Sequence, residues 1–183
     1  MKRAIVTPAG LPPSALAELK HWLGITTAHD DALLSDLLRA ALDICEAFTG
    51  TMPIETTCEE VLFVRGGWIS LATRPVQAIT SIETVAADGS RGILSADAFE
   101  FDLDPDGTGL VRVRGGNTSA TRIAVRFVAG MAPDWEGLPE TLRHGMIRLA
   151  AHQHRERESS GASPLPPAAI AALWQPWRRM RLA

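Results

Sequence analysis

Apolar side chains recur at spacings of three and four in two long stretches of the 183-residue chain, and between these stretches they alternate with polar ones. The first helical stretch covers residues 31–49, with Leu34, Leu37, Leu38, Ala41, Cys45 and Phe48 on one stripe. Asp36, Arg39 and Asp43 fall on its far side at ion-pair spacings. Asp30 or Asp31 suits its N-terminus, and Gly50 and Pro53 end it. The second stretch covers residues 138–158. Pro139 and Glu140 suit its start, and Leu142, Met146, Leu149, Ala150 and Gln153 form its stripe. At about 1.5 Å per residue this is a rod on the order of 30 Å long. A rod with so narrow a stripe needs another helix to cover it. His144, Arg148, His152 and Arg155 form a polar face off that stripe. Two shorter helices are predicted, one over about 15–23, capped by Ser14 and ended by Gly24, and one from Pro166-Pro167 to about Trp174.

Between the long helices the period drops to two. Residues 56–64 alternate, and Gly66-Gly67 reads as a hairpin turn into a strand over 68–71. Further strands are predicted over 76–85, 99–103, 110–113 and 122–128, separated by Gly, Asp, Pro and Ser. Residues 1–12 read as a short arm. The expected fold is α+β: an antiparallel helical bundle with long helices at about 31–49 and 138–158, carrying an inserted small antiparallel β lobe. The expected domains are residues 1–53 plus 131–175 for the bundle, 54–130 for the lobe and 176–183 for a basic C-terminal tail.

Composition sharpens this picture in one respect. The net charge of −3 argues against a general nucleic-acid binder, but it is unevenly spread. From Leu138 onward seven arginines face three glutamates, a balance of +4, whereas the preceding residues carry −7. Such a basic end marks a candidate contact surface. Its last residues join Trp174 and Trp177 to Arg178, Arg179 and Arg181, residue types enriched where proteins bind one another. No run of about 18 apolar residues spans a membrane, and no secretory signal opens the chain.

Residue patterns that carry chemistry are few. Asp102, Asp104, Asp106 and Gly107 match the first half of a calcium loop, but the twelfth position is Val113, and an acidic hairpin turn is the better reading. His152 and His154 point to different sides of a helix, and no zinc-ligand or nucleophile motif occurs. Cys45 and Cys58 read as small core residues. The expectation is a protein with no catalytic site, no metal and no cofactor.

Three stretches together resemble the head–tail connector (adaptor) proteins of long-tailed phages, prophages and gene transfer agents. The first is a helix with Lys20 and Leu23, the acidic pair Asp30-Asp31, then Ala40, Ala41, Glu46, Phe48, Thr49 and Gly50. The second is Leu138-Pro139 followed by Leu149, Ala150, Ala151, His152, Arg157 and Glu158. The third is Pro166, Pro167, Leu173, Pro176 and Arg178, with Trp177 where the family has tyrosine. A composition rich in arginine, with lysine only at positions 2 and 20, also fits a GC-rich bacterial source such as those of gene transfer agents.

The resemblance implies a structural protein of the virion, sited at the head–tail junction and made in the bacterial cytoplasm. It implies a ring of copies under the portal, twelve to match it, that extends the DNA channel and offers a platform for the tail. The implied partners are the portal protein, a head-completion (stopper) or tail-terminator protein, further copies of the chain, and double-stranded DNA passing without sequence specificity. Carried over residue by residue, the portal contact falls on Leu173, Trp174, Trp177, Arg178, Arg179 and Arg181, and the resemblance leaves the polar face of His144, Arg148, His152 and Arg155 for contact with neighbouring subunits or the channel. The rival readings are a DNA-contacting packaging factor that uses the basic end, and a small hydrolase with its site in the β lobe.

Overall fold

Residues 3–64, 66–114, 121–156 and 166–178 are described in a computed structural model of the chain. Among these described residues eight strands and four α-helices follow in this order: β1 (Arg3–Thr7), α1 (Pro13–Leu23), α2 (Asp31–Thr49), β2 (Thr56–Phe63), β3 (Ile69–Ser70), β4 (Val76–Val85), β5 (Arg91–Ile93), β6 (Phe99–Leu103), β7 (Gly109–Val113), β8 (Arg122–Ala129), α3 (Glu140–Arg155) and α4 (Ala168–Trp174). The chain divides into two compact units, residues 1–9 with 54–131 and residues 10–53 with 132–183. No described helix is long and apolar enough to cross a membrane.

The expected bundle of long helices is not what forms. The helices are short, from 7 to 19 residues, and two antiparallel sheets make up a β unit with a core of its own. The five-stranded sheet has the order β1-β2-β8-β4-β5, and the three-stranded sheet the order β3-β7-β6. Periodicity measured how long each apolar stripe runs. It could not register that β1 pairs with a strand some fifty residues later, with Ile5 opposite Cys58, and so adds an edge to the sheet. Nor does the hairpin at Gly66-Gly67 form. β2 pairs with β1 and β8, while β3 leaves for the other sheet and pairs with β7. A two-residue β3 has too few ladder bonds to hold a hairpin against the eight-residue register between β2 and β8.

β2 buries every second residue: Thr56, Cys58, Glu60 and Leu62 face inward. β8 lies between β2 and β4 and buries Ile123, Val125, Phe127 and Ala129. The outward residues of the large sheet carry an ion-pair network. Arg91 reaches Glu59 through two bonds of 2.8 and 2.9 Å and Glu83 at 3.3 Å, and Arg126 reaches Glu59 at 3.3 Å. The hydrogen bonds from Arg91 hold the Glu59 carboxyl below its ordinary range, against a smaller opposing effect of burial. A carboxylate depressed in the folded state stabilises above its unfolded pKa, and that stabilisation is lost as pH falls through the folded value. The β unit is therefore expected to lose stability as pH drops below the ordinary glutamate value of about 4.3. Arg91→Ala should flatten this acid limb while costing about 1 kcal/mol or less at neutral pH, because Arg91 is largely solvated. Hydrogen exchange of β2 and β8 amides against pH checks both statements, and an unchanged acid limb would refute them.

In the helical unit α3 packs on α2, α1 and α4. It therefore buries far more than the predicted stripe: Leu142, Gly145, Met146, Ile147, Leu149, Ala150 and Ala151. Gly24 and Gly50 end α1 and α2 at φ of +73°, the left-handed conformation that glycine adopts without strain. Asp30 holds the N-cap position of α2 without a side-chain cap bond, and Asp31 in the first turn pairs with Lys20 of α1 at 2.6 Å.

Candidate functional site

The polar face predicted on α3 is one stripe, because His144, Arg148, His152 and Arg155 follow at intervals of four, four and three. The helical unit sets an unforeseen residue against it. Trp22, in the last turn of α1, is 45% exposed, and its ring meets the His144 imidazole edge-to-face at 5.2 Å and 84°. Trp22 stands between two clefts. One, of about 330 Å³, contains Glu18, His21, Glu140, Arg143, His144 and Ile147. Its charges are mixed: Arg143 lies 3.6 Å from Glu18, and Glu18 also accepts a 3.2 Å bond from the Trp135 indole. The other, of about 190 Å³, is lined by Trp22, Arg148, His152, Arg155, Pro167, Ala169 and Ile170. Among the described residues its lining carries no carboxylate. His152 Nε2 lies 3.0 Å from Glu156 Oε2, and among the described residues neither Arg148 nor Arg155 has an ion-pair partner. The result is a cleft with an indole, an apolar floor and two guanidiniums that have no ion-pair partner among the described residues.

The C-terminal residues assigned to a docking contact are placed differently from one another. Leu173 is half-buried. Trp174 is fully buried, not exposed to a partner: its Nε1 donates to the Leu142 carbonyl at 3.3 Å, and its ring tilts against Phe48 at 6.0 Å. The notch that receives it exists because position 145 is glycine. A Cβ there would stand 2.2 Å from the indole Nε1 and 2.9 Å from Cε2. Trp177 is half-buried in a 3-10 turn (Gln175–Trp177) and donates from Nε1 to Thr141 Oγ1 at 3.0 Å. Arg178 is exposed, with its guanidinium 5.3 Å above the Phe48 ring. Arg179 and Arg181 lie outside the described residues. The two tryptophans thus clamp the segment onto its own body and leave Arg178 outward.

Elsewhere the chemistry is structural. Asp104, Asp106 and Gly107 close the β6–β7 turn, with the Gly107 amide donating to the Asp104 carbonyl at 2.8 Å and the Thr108 amide donating to the Asp106 carboxylate at 2.9 Å. Among the described residues no group of three His, Cys, Asp or Glu side chains is arranged to hold a metal. Cys45 is buried, which pushes its thiol up to about 12.

No family profile matches the sequence, and no curated protein matches it. Solved structures do. The chain is 26% identical to a chain in the neck of an empty gene transfer agent (GTA) particle computed with C6 symmetry, with a TM-score of 0.79. It is 27% identical to chains in the virion of a native GTA particle and in the neck of a native GTA particle computed with C12 symmetry, with TM-scores of 0.77 and 0.76. Each alignment covers 100% of this chain and 98% of the other. The likeness spans both units and agrees with the head–tail connector resemblance carried by the helical segments.

Proposed function

We propose that this chain is a structural component of a gene transfer agent or phage virion, a head–tail connector without catalytic activity. The observation that carries this reading is the full-length likeness to GTA neck and virion chains, which includes the β unit where the sequence resemblance was silent. In this reading copies of the chain form a ring under the portal, twelve to match it. The ring extends the channel through which double-stranded DNA passes and presents a platform for a head-completion or tail-terminator protein.

The C-terminal segment is the proposed portal contact. Trp174 holds it in place from within, and Leu173, Trp177, Arg178, Arg179 and Arg181 are the residues proposed to make the contact. A guanidinium held over an aromatic ring, as Arg178 is over Phe48, is preorganised for such a contact. Truncation after Trp177 leaves both tryptophan contacts intact and removes only the stacking of Arg178 on Phe48, so the protein should fold with a loss of stability of about 1 kcal/mol or less. Its affinity for purified portal rings should fall about tenfold or more, the loss expected when hot-spot arginines are removed. Unchanged portal binding by the truncated chain would refute this assignment of the tail. Failure of the full-length chain to bind portal rings at all would refute the connector reading itself.

A further inference from the structure

We propose that the basic cleft beside Trp22 receives the acidic β6–β7 turn of a second copy of the same chain, and that this contact links neighbours in the ring. The inference rests on the connector reading and names a contact within it.

The cleft offers two guanidiniums, Arg148 and Arg155, with no ion-pair partner among the described residues, beside Trp22, Pro167 and Ile170. Its complement lies on the same chain. Asp102, Leu103, Asp104 and Pro105 are all exposed at the end of β6. Neither Asp102 nor Asp104 has a cationic partner among the described residues, whereas Asp106 lies 3.9 Å from Arg74. The turn is preformed. The Asp104 amide donates to the Thr108 carbonyl at 2.9 Å, and the Gly107 amide donates back to the Asp104 carbonyl at 2.8 Å. Little ordering cost therefore remains to be met on binding. Asp102 and Asp104 are two residues apart on a strand end, about 6.6 Å. Arg148 and Arg155 are two turns apart, about 10 Å along α3, and their long side chains can converge on such a pair. Pro105 supplies an apolar side chain that Trp22 and Pro167 would cover.

Two features favour this occupant over DNA. A duplex presents phosphates and sugars, and gains nothing from the apolar floor of Pro167, Ala169 and Ile170. The acidic turn and the basic cleft are also different patches of one chain, and a contact between different patches is the kind that repeats around an axis and closes a ring.

Charge reversal tests the pairing. Arg148→Glu with Arg155→Glu, and separately Asp102→Arg with Asp104→Arg, should each raise the protein concentration needed for ring assembly on portal by about tenfold or more, by setting like charges face to face. All four positions are solvent-accessible, so circular dichroism and thermal unfolding should match the unsubstituted protein. The four-fold variant, with the charges exchanged, should recover assembly. The proposal is overturned if the four-fold variant assembles no better than either parent, or if the aspartate pair alone leaves assembly unchanged. Loss of salt-dependent duplex binding by the arginine pair, with no effect from the aspartate pair, would assign the cleft to phosphate and overturn it equally. In every arm the unsubstituted protein must assemble on portal. If it does not, the connector reading fails, and not merely this contact.

Discussion

Gly145→Ala should destabilise the helical unit by about 2 kcal/mol, although alanine is the better helix former at that position by about 1 kcal/mol. The sign is decided by the indole of Trp174. A methyl group at 145 would lie 2.2 Å from Nε1, 2.9 Å from Cε2 and 3.0 Å from Cδ1, so the ring must move by an ångström or more. That movement breaks the 3.3 Å bond to the Leu142 carbonyl and disturbs the packing on Phe48. Trp174→Ala empties the notch instead and should cost about 3–5 kcal/mol, as for other buried tryptophans. The two changes are expected to be strongly non-additive. With the indole gone, Gly145→Ala should become stabilising, by up to about 1 kcal/mol, because only helix propensity remains. Urea unfolding followed by tryptophan fluorescence, made in a Trp68→Phe background because Trp68 lies in the β unit, reads the helical unit, which holds Trp22, Trp135, Trp174 and Trp177. If Gly145→Ala keeps its sign in both backgrounds, the notch does not hold the ring. In the proposed function the same pair of changes should weaken portal binding, because α4 is what presents Arg178.

Glu60→Ala is expected to cost about 3–5 kcal/mol in the β unit. Glu60 sits at an inward position of β2 with 1% of its surface exposed. Its Oε1 accepts from the Thr73 amide at 2.8 Å and the Thr73 hydroxyl at 2.7 Å, and its Oε2 accepts from the Ala72 amide at 2.9 Å. One carboxylate therefore anchors the chain leaving β3 to the middle of β2, inside the β unit. Removing it strands three donors, and each stranded buried donor costs about 1–3 kcal/mol when no water reaches it. Glu60→Gln should cost less, about 1–3 kcal/mol, because one amide oxygen still accepts while the amide NH2 faces a donor. Hydrogen exchange at β2, β8 and residues 72–73 would report the loss. Protection in Glu60→Ala within about 1 kcal/mol of the parent would show that the carboxylate is not a clamp.

Glu60 also shows where sequence reasoning stops. The alternation of 56–64 placed a strand there, and the same alternation puts Glu60 on the buried face. A charged residue at an inward position is a signal in itself, because burying a carboxylate requires donors. Nothing in the sequence said that residues 72 and 73 would supply them.

Local chemistry determined the elements in which cause and effect lie within one turn. Apolar spacing and the glycine ends placed α2 over Asp31–Thr49, Gly24 ended α1, and the Pro166-Pro167 pair opened the short helix that ends at Trp174. The face of α3 that carries His144, Arg148, His152 and Arg155 was equally legible, since helical phase alone puts them together. The tertiary structure alone decided what lies against those faces. Periodicity reports which side of an element is apolar, not what covers it or how far along the chain the cover lies. That is why β1 read as an arm, why the Gly66-Gly67 turn read as a hairpin, and why the chain read as a bundle with a small lobe. It is also why Trp174 looked like a docking residue. Only the packing of α4 on α3 shows that Gly145 leaves room for its ring, while Trp22, from an unremarked helix end, stands exposed beside the arginines.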